Sequence, residues 1–229
     1  MLEIKNVEVH GLERAMAACR NPMSVGEIDT TRQGMHTYHN YNNPYTDAIT
    51  PPQIDHLKEE LKRAKSLGKA VGGSGHDNFL KGIIVQFDVK YPQYWTPEYQ
   101  RYKFESIISS QSKMHRLMAM ASNAAFSEMF NKYVDPEIIQ KVQEYCNLYN
   151  EAETDKEKYE WFMKALSNLP LGFEMWMTCS SNYLSLKTIV NQLWNHKLNE
   201  WRIFCRWAAA LPMFRELTGF DKLVTLLEE

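Results

Sequence analysis

The chain has 229 residues, of which 44% are hydrophobic, and its formal net charge at pH 7 is −2. A chain of this length and composition can bury a real core, which excludes global disorder, and the near-balanced charge argues against a general nucleic-acid-binding protein. The charged N-terminal residues contain no apolar signal core and no apolar run approaches the roughly 20 residues of a membrane span, so we expect a cytoplasmic protein without a membrane anchor.

The first elements in chain order are a strand and a helix. Apolar residues alternate between Leu2 and Val9, which predicts a short strand. A helix is expected to begin after Gly11 and to end near Pro22, because proline cannot continue a helix.

Residues 24–52 form a long polar segment that is rich in Asn and Pro. A segment of this length without periodicity is typical of a functional or mobile loop. His36 and His39 lie in it, but neither carboxylate nor cysteine recurs there at ligand spacing. We therefore predict no metal site.

A glycine-rich loop joins the next helix to the next strand. Apolar residues from Ile54 to Ala64 fall at helical spacing, the glycines from Gly68 onward end that helix, and the β-branched run from Ile83 to Val89 predicts a strand. The loop between them, VGGSGHDN, matches neither GxxxxGK[ST] nor GxGxxG. It also runs from helix into strand, so no helix N-terminus is available to bind a phosphate, and a standard phosphate loop is excluded.

An aromatic cluster, YPQYWTPEYQRYKF, occupies residues 91–104. Packing at a strand-to-helix corner is the favoured interpretation, and a platform that stacks a flavin or a base is the alternative. The segment from there to His115 is expected to begin as a helix and to continue as an extended stretch.

The C-terminal half is predicted to be mainly helical. Asp135 and Pro136 have the positions of an N-cap and a first helical residue, and three further amphipathic stripes follow, at residues 159–166, 186–193 and 201–208. We interpret them as core-facing helix surfaces in a single α+β domain that spans residues 1–229. The four cysteines form no CxxC pair and are expected to be buried, reduced thiols: Cys19, Cys146, Cys179 and Cys205.

The order of these features resembles the flavin-dependent thymidylate synthases, particularly divergent members associated with bacteriophages. The stretch VEVHGLERAMAACRNPM is similar to the strand and "A.R" helix that open that family, and GHDNFLKGIIVQFDV is similar to its GHxSxxEH segment and apolar strand. His76 is kept, whereas Asn78, Lys81 and Gly82 replace the serine, the glutamate and the second histidine of that segment.

The family signature RHRxxSxNExSxRY aligns with residues 102–115, where Ser112 alone is identical and Lys103 replaces the histidine. All three signature arginines are replaced. In the C-terminal half, SNYLSLKTIVNQLWNHKLNEWRIFCRWAAALP is similar in outline to the family's "N.R.L..F...R" helix, with Asn182 in place and Leu184 and Leu193 at arginine positions. The resemblance extends over about residues 3–217 in element order.

The resemblance implies a homotetramer that binds FAD between subunits and converts dUMP to dTMP. Reduced flavin would deliver hydride to the pyrimidine deoxynucleotide, methylenetetrahydrofolate would supply the carbon, and NADPH is the implied reductant. It assigns no catalytic side chain, and no cysteine lies in a nucleophile motif. The lost arginines leave two alternatives open: a pyrimidine nucleotide hydroxymethylase on the same scaffold, and a non-catalytic oligomeric scaffold that lost the site.

Two sets of residues follow from the resemblance. The expected cofactor-binding residues are His76, Asn78, Arg101, Lys103 and Asn195, and the expected substrate-binding residues are Gln111, Ser112, Asn182, His196 and Lys197. Most also have an ordinary structural interpretation. His76 could cap the start of the strand, Asn182 could cap a helix, and Arg101, Lys103 and Lys197 could be solvated helix residues. Lysine can hold a phosphate as a point charge, although it lacks the bidentate geometry of arginine.

Overall fold

The structure, a computed structural model, describes residues 2–28, 30, 38–40 and 58–221, with the backbone alone at 38–40. The side chains of His36 and His39 and the first part of the predicted second helix, including Ile54, lie outside the described residues. The expectation that these histidines hold no metal therefore stays a prediction.

Five strands form one sheet. They are β1 (Glu3–His10), β2 (Tyr38–Asn40), β3 (Ile84–Pro92), β4 (Ser106–Ser110) and β5 (Glu174–Asn182), and their order in the sheet is β2-β1-β3-β5-β4. β1 and β2 are antiparallel, with Val7 opposite Asn40, Glu8 opposite His39 and Val9 opposite Tyr38. In β3 the side chains of Val85, Phe87 and Val89 are buried because alternate residues of a strand face the same side.

The helices lie before, between and after these strands. They are α1 (Leu12–Ala18), α2 (Lys58–Gly68), α3 (Thr96–Tyr99), α4 (Lys113–Ala121), α5 (Pro136–Glu151), α6 (Asp155–Ser167), α7 (Tyr183–Leu193), α8 (Asn199–Ala209) and α9 (Phe214–Thr218). The predicted α+β class is confirmed, and so are the strand before Gly11, the helix after it and the four C-terminal helices. Strand β5 was not predicted.

The chain divides into two compact units. The first unit contains Met1–Glu3, Val89–Arg101 and Ile107–Met177, and the second contains Ile4–Asp88, Tyr102–Ser106 and Thr178–Glu229. The expectation of one domain over residues 1–229 stays a prediction.

The first unit has an aromatic core. Trp95 and Tyr99 are fully buried and stack with their ring centroids 4.7 Å apart, and the rings of Phe130 and Phe173 meet edge to face at 5.1 Å. The packing interpretation is thus confirmed for Tyr91, Trp95 and Tyr99, which are all buried.

The second unit packs α1, α2, α7, α8 and α9 with parts of β1, β3 and β5. Its core includes Phe87, Phe204 and Trp207, and the rings of Phe87 and Trp207 lie 4.6 Å apart. Tyr183 is also fully buried, and its hydroxyl donates to the carbonyl oxygen of Pro212 over 2.6 Å. A buried hydroxyl that has such a partner avoids the desolvation cost of an unpaired one.

All four cysteines are free and buried, as expected. Burial raises the pKa of Cys19 and Cys146 to about 11 and that of Cys205 to about 12. These three thiols are therefore protonated at neutral pH, and none of them offers a reactive thiolate. In the described part of the chain, no group of three or more His, Cys, Asp and Glu side chains is arranged to hold a metal ion. No helix among the described residues is long and apolar enough to cross a membrane.

Candidate functional site

Strand β5 leads directly into helix α7, and Asn182 lies at the junction. Its side-chain oxygen accepts a hydrogen bond from the backbone N–H of Ser185 over 3.0 Å, which caps the helix. The N–H of Tyr183 donates to the carbonyl oxygen of Ile83 over 3.1 Å. The capping interpretation of Asn182 is confirmed, and these bonds fix the direction of α7 relative to the start of β3.

A carboxylate lies beside this first turn of α7. The Oε1 atom of Glu105 accepts hydrogen bonds from the hydroxyl of Ser185, over 2.6 Å, and from the hydroxyl of Ser181, over 2.5 Å. Hydrogen bonds to an ionised acceptor are stronger than those between neutral groups. The pair of hydroxyl donors therefore holds the segment that contains Phe104 and Glu105 against α7.

One turn further along α7, Lys187 is buried with Asp77. Their relative exposures are 8% and 1%, and the Lys187 ammonium donates to Asp77 Oδ2 over 2.7 Å. It also donates to the carbonyl oxygens of Gly68 and Ala70, each over 2.9 Å. A buried charge is tolerated only when it is paired and hydrogen-bonded, and this arrangement meets both conditions.

These contacts surround a cleft of about 390 Å³ in the second unit. The volume lies within the 300–1,000 Å³ that is usual for small-molecule sites. The cleft is bounded by the glycine loop, the Phe104 segment and one face of α7. The lining residues are Gly72, Gly73, Asp77, Lys81, Phe104, Asn182, Leu184, Ser185, Lys187, Thr188, Asn191 and Gln192.

The charge of the cleft is modest. Asp77 and Lys187 neutralise each other, so the exposed ammonium of Lys81 is the main source of positive potential among the lining residues. Phe104 is 69% exposed and offers an aromatic face. The hydroxyl and amide side chains of α7 can bind ribose or base atoms.

The chemistry of these side chains suits part of an FAD cofactor or a nucleotide substrate. One mononucleotide, or one nucleotide half of FAD, fits the cleft: Lys81 can attract a phosphate, Phe104 can stack a ring, and Ser185 or Asn191 can contact polar edges. No arginine is among the lining residues. Leu184 gives the wall an apolar side chain, so a phosphate has no charged partner at that point.

The predicted cofactor- and substrate-binding residues that belong to the second unit do not all line the cleft. Asn182 lines the cleft, and the exposed His76 precedes the cleft residue Asp77 in the glycine loop. Asn78 is exposed and lines a separate cavity of about 350 Å³ together with Gly11, Arg14 and Phe79. The structure therefore places His76 and Asn78 on the short segment that borders both cavities.

The loop between α7 and α8 contains Asn195, His196 and Lys197. His196 is partly buried, its Nδ1 accepts from the backbone N–H of Leu198 over 3.1 Å, and its ring meets Trp201 edge to face at 6.3 Å. Asn195 and Lys197 are exposed, as is Lys103. None of these four residues is among those that line the cleft.

The other three predicted residues belong to the first unit. Arg101 is exposed. Gln111 makes two hydrogen bonds to the backbone of Trp176, of 2.9 and 3.0 Å, and Ser112 caps α4 by accepting from the N–H of His115 over 3.4 Å. These contacts give Gln111 and Ser112 structural roles, and the binding roles of all three residues stay predictions.

Sequence reasoning missed Glu105, Ser185 and Lys187. A lysine directly after Leu186, within the apolar stripe of α7, was the available signal. A charged residue at a core-facing position needs a buried partner, and Asp77 in the glycine loop was a candidate.

No protein-family model and no curated protein matches the chain. Solved structures do resemble it. The flavin-dependent thymidylate synthase ThyX from Helicobacter pylori, complexed with FAD and dUMP, shares 16% identity with a TM-score of 0.61, covering 96% of this chain and 99% of that one. A second structure of the Helicobacter pylori protein with FAD and dUMP gives 16% identity, a TM-score of 0.62 and coverages of 96% and 98%.

A third similar structure is the UMP/dUMP methylase PolB from Streptomyces cacaoi, bound with 5-Br dUMP. It shares 13% identity with a TM-score of 0.57, and the match covers 96% of this chain and 95% of that one. At such identities the likeness establishes the fold. The chain has the α+β fold of the flavin-dependent thymidylate synthases.

Proposed function

We propose that this protein is an enzyme that transfers a one-carbon unit to a pyrimidine deoxynucleotide, in a reaction of the dUMP-to-dTMP type. The observation that carries the proposal is the cleft at the start of α7, which is of nucleotide size and lies in a fold whose solved examples include two thymidylate synthase structures with FAD and dUMP. FAD and methylenetetrahydrofolate are the proposed cofactors, NADPH the proposed reductant, and a cytoplasmic homotetramer the proposed assembly.

The side chains of the cleft would bind and orient the nucleotide. Lys81 attracts its phosphate, Phe104 stacks on its base, and Ser185 and Asn182 contact its polar edges. Flavin, when bound, supplies the hydride chemistry. Because α7 and the glycine loop are held by buried hydrogen bonds, the nucleotide meets a preformed surface, which reduces the entropic cost of binding.

The residues that the resemblance assigns to flavin are proposed to lie near its phosphates and ring. His76 comes first among them because it is exposed and adjacent in sequence to the cleft wall. The remaining proposed contacts to flavin or substrate are Asn78, Arg101, Lys103, Gln111, Ser112, Asn195, His196 and Lys197.

A nucleotide hydroxymethylase on the same scaffold is the second candidate, and it is left open because Leu184 stands where the resemblance implies an arginine. The apolar side chain at this point of the wall means that the nucleotide is held differently from one that contacts an arginine there. Mass spectrometry of the product formed from dUMP distinguishes a methylated from a hydroxymethylated base.

The proposal is tested first by the visible absorption spectrum of the purified protein and by its melting temperature with FAD and with dUMP. Ligands that bind the native state raise the apparent stability, by about 2.7 kcal/mol at a concentration of 100 Kd. A colourless protein that neither ligand stabilises would contradict the proposal and would favour the non-catalytic scaffold.

The contribution of Lys81 is tested by Lys81→Ala, with Lys62→Ala on the exposed surface of α2 as the control. Loss of a charge-assisted contact, which contributes about 1.5–3 kcal/mol, should raise the Kd for dUMP about 10- to 100-fold. Lys62→Ala should leave it unchanged. Equal affinities for the two variants would remove Lys81 from the proposed site.

A further inference from the structure

Four glycines occupy the last position of α2 and the glycine loop that follows it, and the fold requires only some of them. Gly68 must lack a side chain, because a Cβ would lie 1.7 Å from the carbonyl oxygen of Leu217. Gly73 and Gly75 have φ values of +88° and +80°, which residues with side chains rarely adopt.

Gly72 differs from these three. Its φ lies outside the positive range, and a Cβ at this position would meet no atom within 4 Å. Neither backbone conformation nor packing within the described chain therefore calls for glycine. Gly72 nevertheless lines the cleft, where a side chain would project from the loop.

The loop that carries Gly72 is held in place by Lys187. Lysine has three N–H donors, and in Lys187 they have three acceptors: the Asp77 carboxylate and the carbonyl oxygens of Gly68 and Ala70. Those acceptors lie on both sides of Gly72 in the sequence. Lys187 has no donor left for a ligand, so its contribution is to fix the loop.

We propose that the backbone of Gly72 and Gly73 is a contact surface for a phosphate-bearing pyrimidine nucleotide, and that Lys187 is the positioning residue that holds this surface toward the cleft. The inference rests on the proposed function. Glycine is used where a ligand approaches the backbone closely, which accounts for a glycine that the fold itself does not need. Because Asp77 and Lys187 neutralise each other, Lys81 supplies the positive charge of the cleft, and the loop offers close approach to its backbone.

The test compares the variants Gly72→Ala and Gly72→Val with Ser74→Val. Ser74 is exposed in the same loop and does not line the cleft, so its variant adds bulk outside the proposed surface. The Kd for dUMP, measured by calorimetry, should rise several-fold in Gly72→Ala and at least tenfold in Gly72→Val. It should be unchanged in Ser74→Val, and all three melting temperatures should stay close to that of the wild type.

A wild-type affinity for dUMP in Gly72→Val would overturn the inference while leaving the proposed function intact. Wild-type protein that binds neither dUMP nor FAD would refute both. An equal loss of affinity in Ser74→Val would also count against a specific surface at Gly72.

The positioning role of Lys187 has an independent readout in amide hydrogen exchange. In Lys187→Met, peptides that cover residues 69–78 should exchange at least tenfold faster at labelling times that are too short for the buried amides of α8 to exchange in either protein. If this variant does not fold, Lys187→Arg, which keeps the charge, provides the same comparison with a smaller expected increase. Unchanged exchange of the loop in a folded Lys187→Met protein would refute the positioning role.

Discussion

Each of the two compact units contains a cavity, and the two cavities differ in how their polar side chains are held. The first unit has an open groove of about 770 Å³ between the end of α4 and helix α5. Its polar lining residues include Gln140, Glu144 and Asn147, which are exposed. The cleft of the second unit is about half as large, at about 390 Å³, yet Asp77, Ser185 and Lys187 on its wall are buried.

The groove of the first unit is therefore the larger of these two cavities, whereas the polar side chains on the wall of the cleft are more deeply buried. Burying a charged group is costly unless partners compensate for its lost hydration. The first unit also buries a charge, Glu174, which pairs with Lys90 over 3.1 Å, but neither residue lines its groove. In the second unit the compensated charges belong to the cavity wall itself. For this reason we assign the functional site to the cleft of the second unit.

The largest expected effect comes from Lys187→Met. This change leaves the Asp77 carboxylate buried without its cation, and breaking a buried pair typically costs about 3–5 kcal/mol. The free energy of unfolding, measured by urea denaturation, should fall by that amount. The double variant Lys187→Met/Asp77→Leu should recover much of the loss because no unpaired charge remains.

The matched comparison in the first unit is Lys141→Met. Lys141 pairs with Glu144 over 2.8 Å at the groove, but both side chains are about half exposed. The hydrogen bond that the Lys141 ammonium donates to Glu144 raises the pKa of Lys141, yet exposed pairs contribute little to stability because water and salt screen them. We expect no measurable change in the urea midpoint. A loss as large as that in Lys187→Met would break the distinction between the two cavities.

The sequence predicts local features of this site better than its long-range contacts. Asn182 could be found as a helix cap because the signal lies within a few residues of it. The Lys187–Asp77 pair joins residues 110 positions apart, and only the tertiary fold brings them together. Gly75 and His76 were noticed from the sequence, but the contribution of Asp77 next to them was not.

Strand β5 shows a second reason for missed structure. Met175, Met177 and Cys179 are buried and alternate along the strand as period-2 burial requires. However, Trp176 lies between them on the other face, and this apolar residue hides the alternation in the sequence EMWMTCSSN. In the sequence this strand is therefore a short apolar run, and periodicity alone cannot tell whether such a run is a strand or part of a helix.

A smaller effect is expected from Ser185→Ala at the cleft. The variant removes one of the two hydroxyl groups that donate to Glu105, and hydrogen bonds to charged groups contribute about 1.5–3 kcal/mol. Thr188→Ala is the control, because Thr188 lines the same cleft, is exposed, and donates within its own helix to the carbonyl oxygen of Leu184. Urea denaturation should show a clear loss for Ser185→Ala and little change for Thr188→Ala. Equal losses of stability in the two variants would mean that the hydrogen bond from Ser185 to Glu105 contributes no more than the bond that Thr188 makes within its own helix.

A still smaller loss is expected at the start of α6, where Thr154 and Glu157 form a capping box. The Thr154 hydroxyl lowers the pKa of the Glu157 carboxyl, followed by the backbone N–H of Thr154. A carboxyl with a lowered folded-state pKa stabilises the protein above its unfolded pKa, about 4.3, and loses that contribution as the pH falls through the folded value. Thr154→Ala should therefore cost about 0.5–2 kcal/mol at pH 7, and the cost should decrease as the pH falls through the folded-state pKa of Glu157. Glu160→Gln, an exposed position on the same helix, is the control and should show no such dependence. A loss in Thr154→Ala that does not change as the pH is lowered would mean that the carboxylate half of the box contributes nothing.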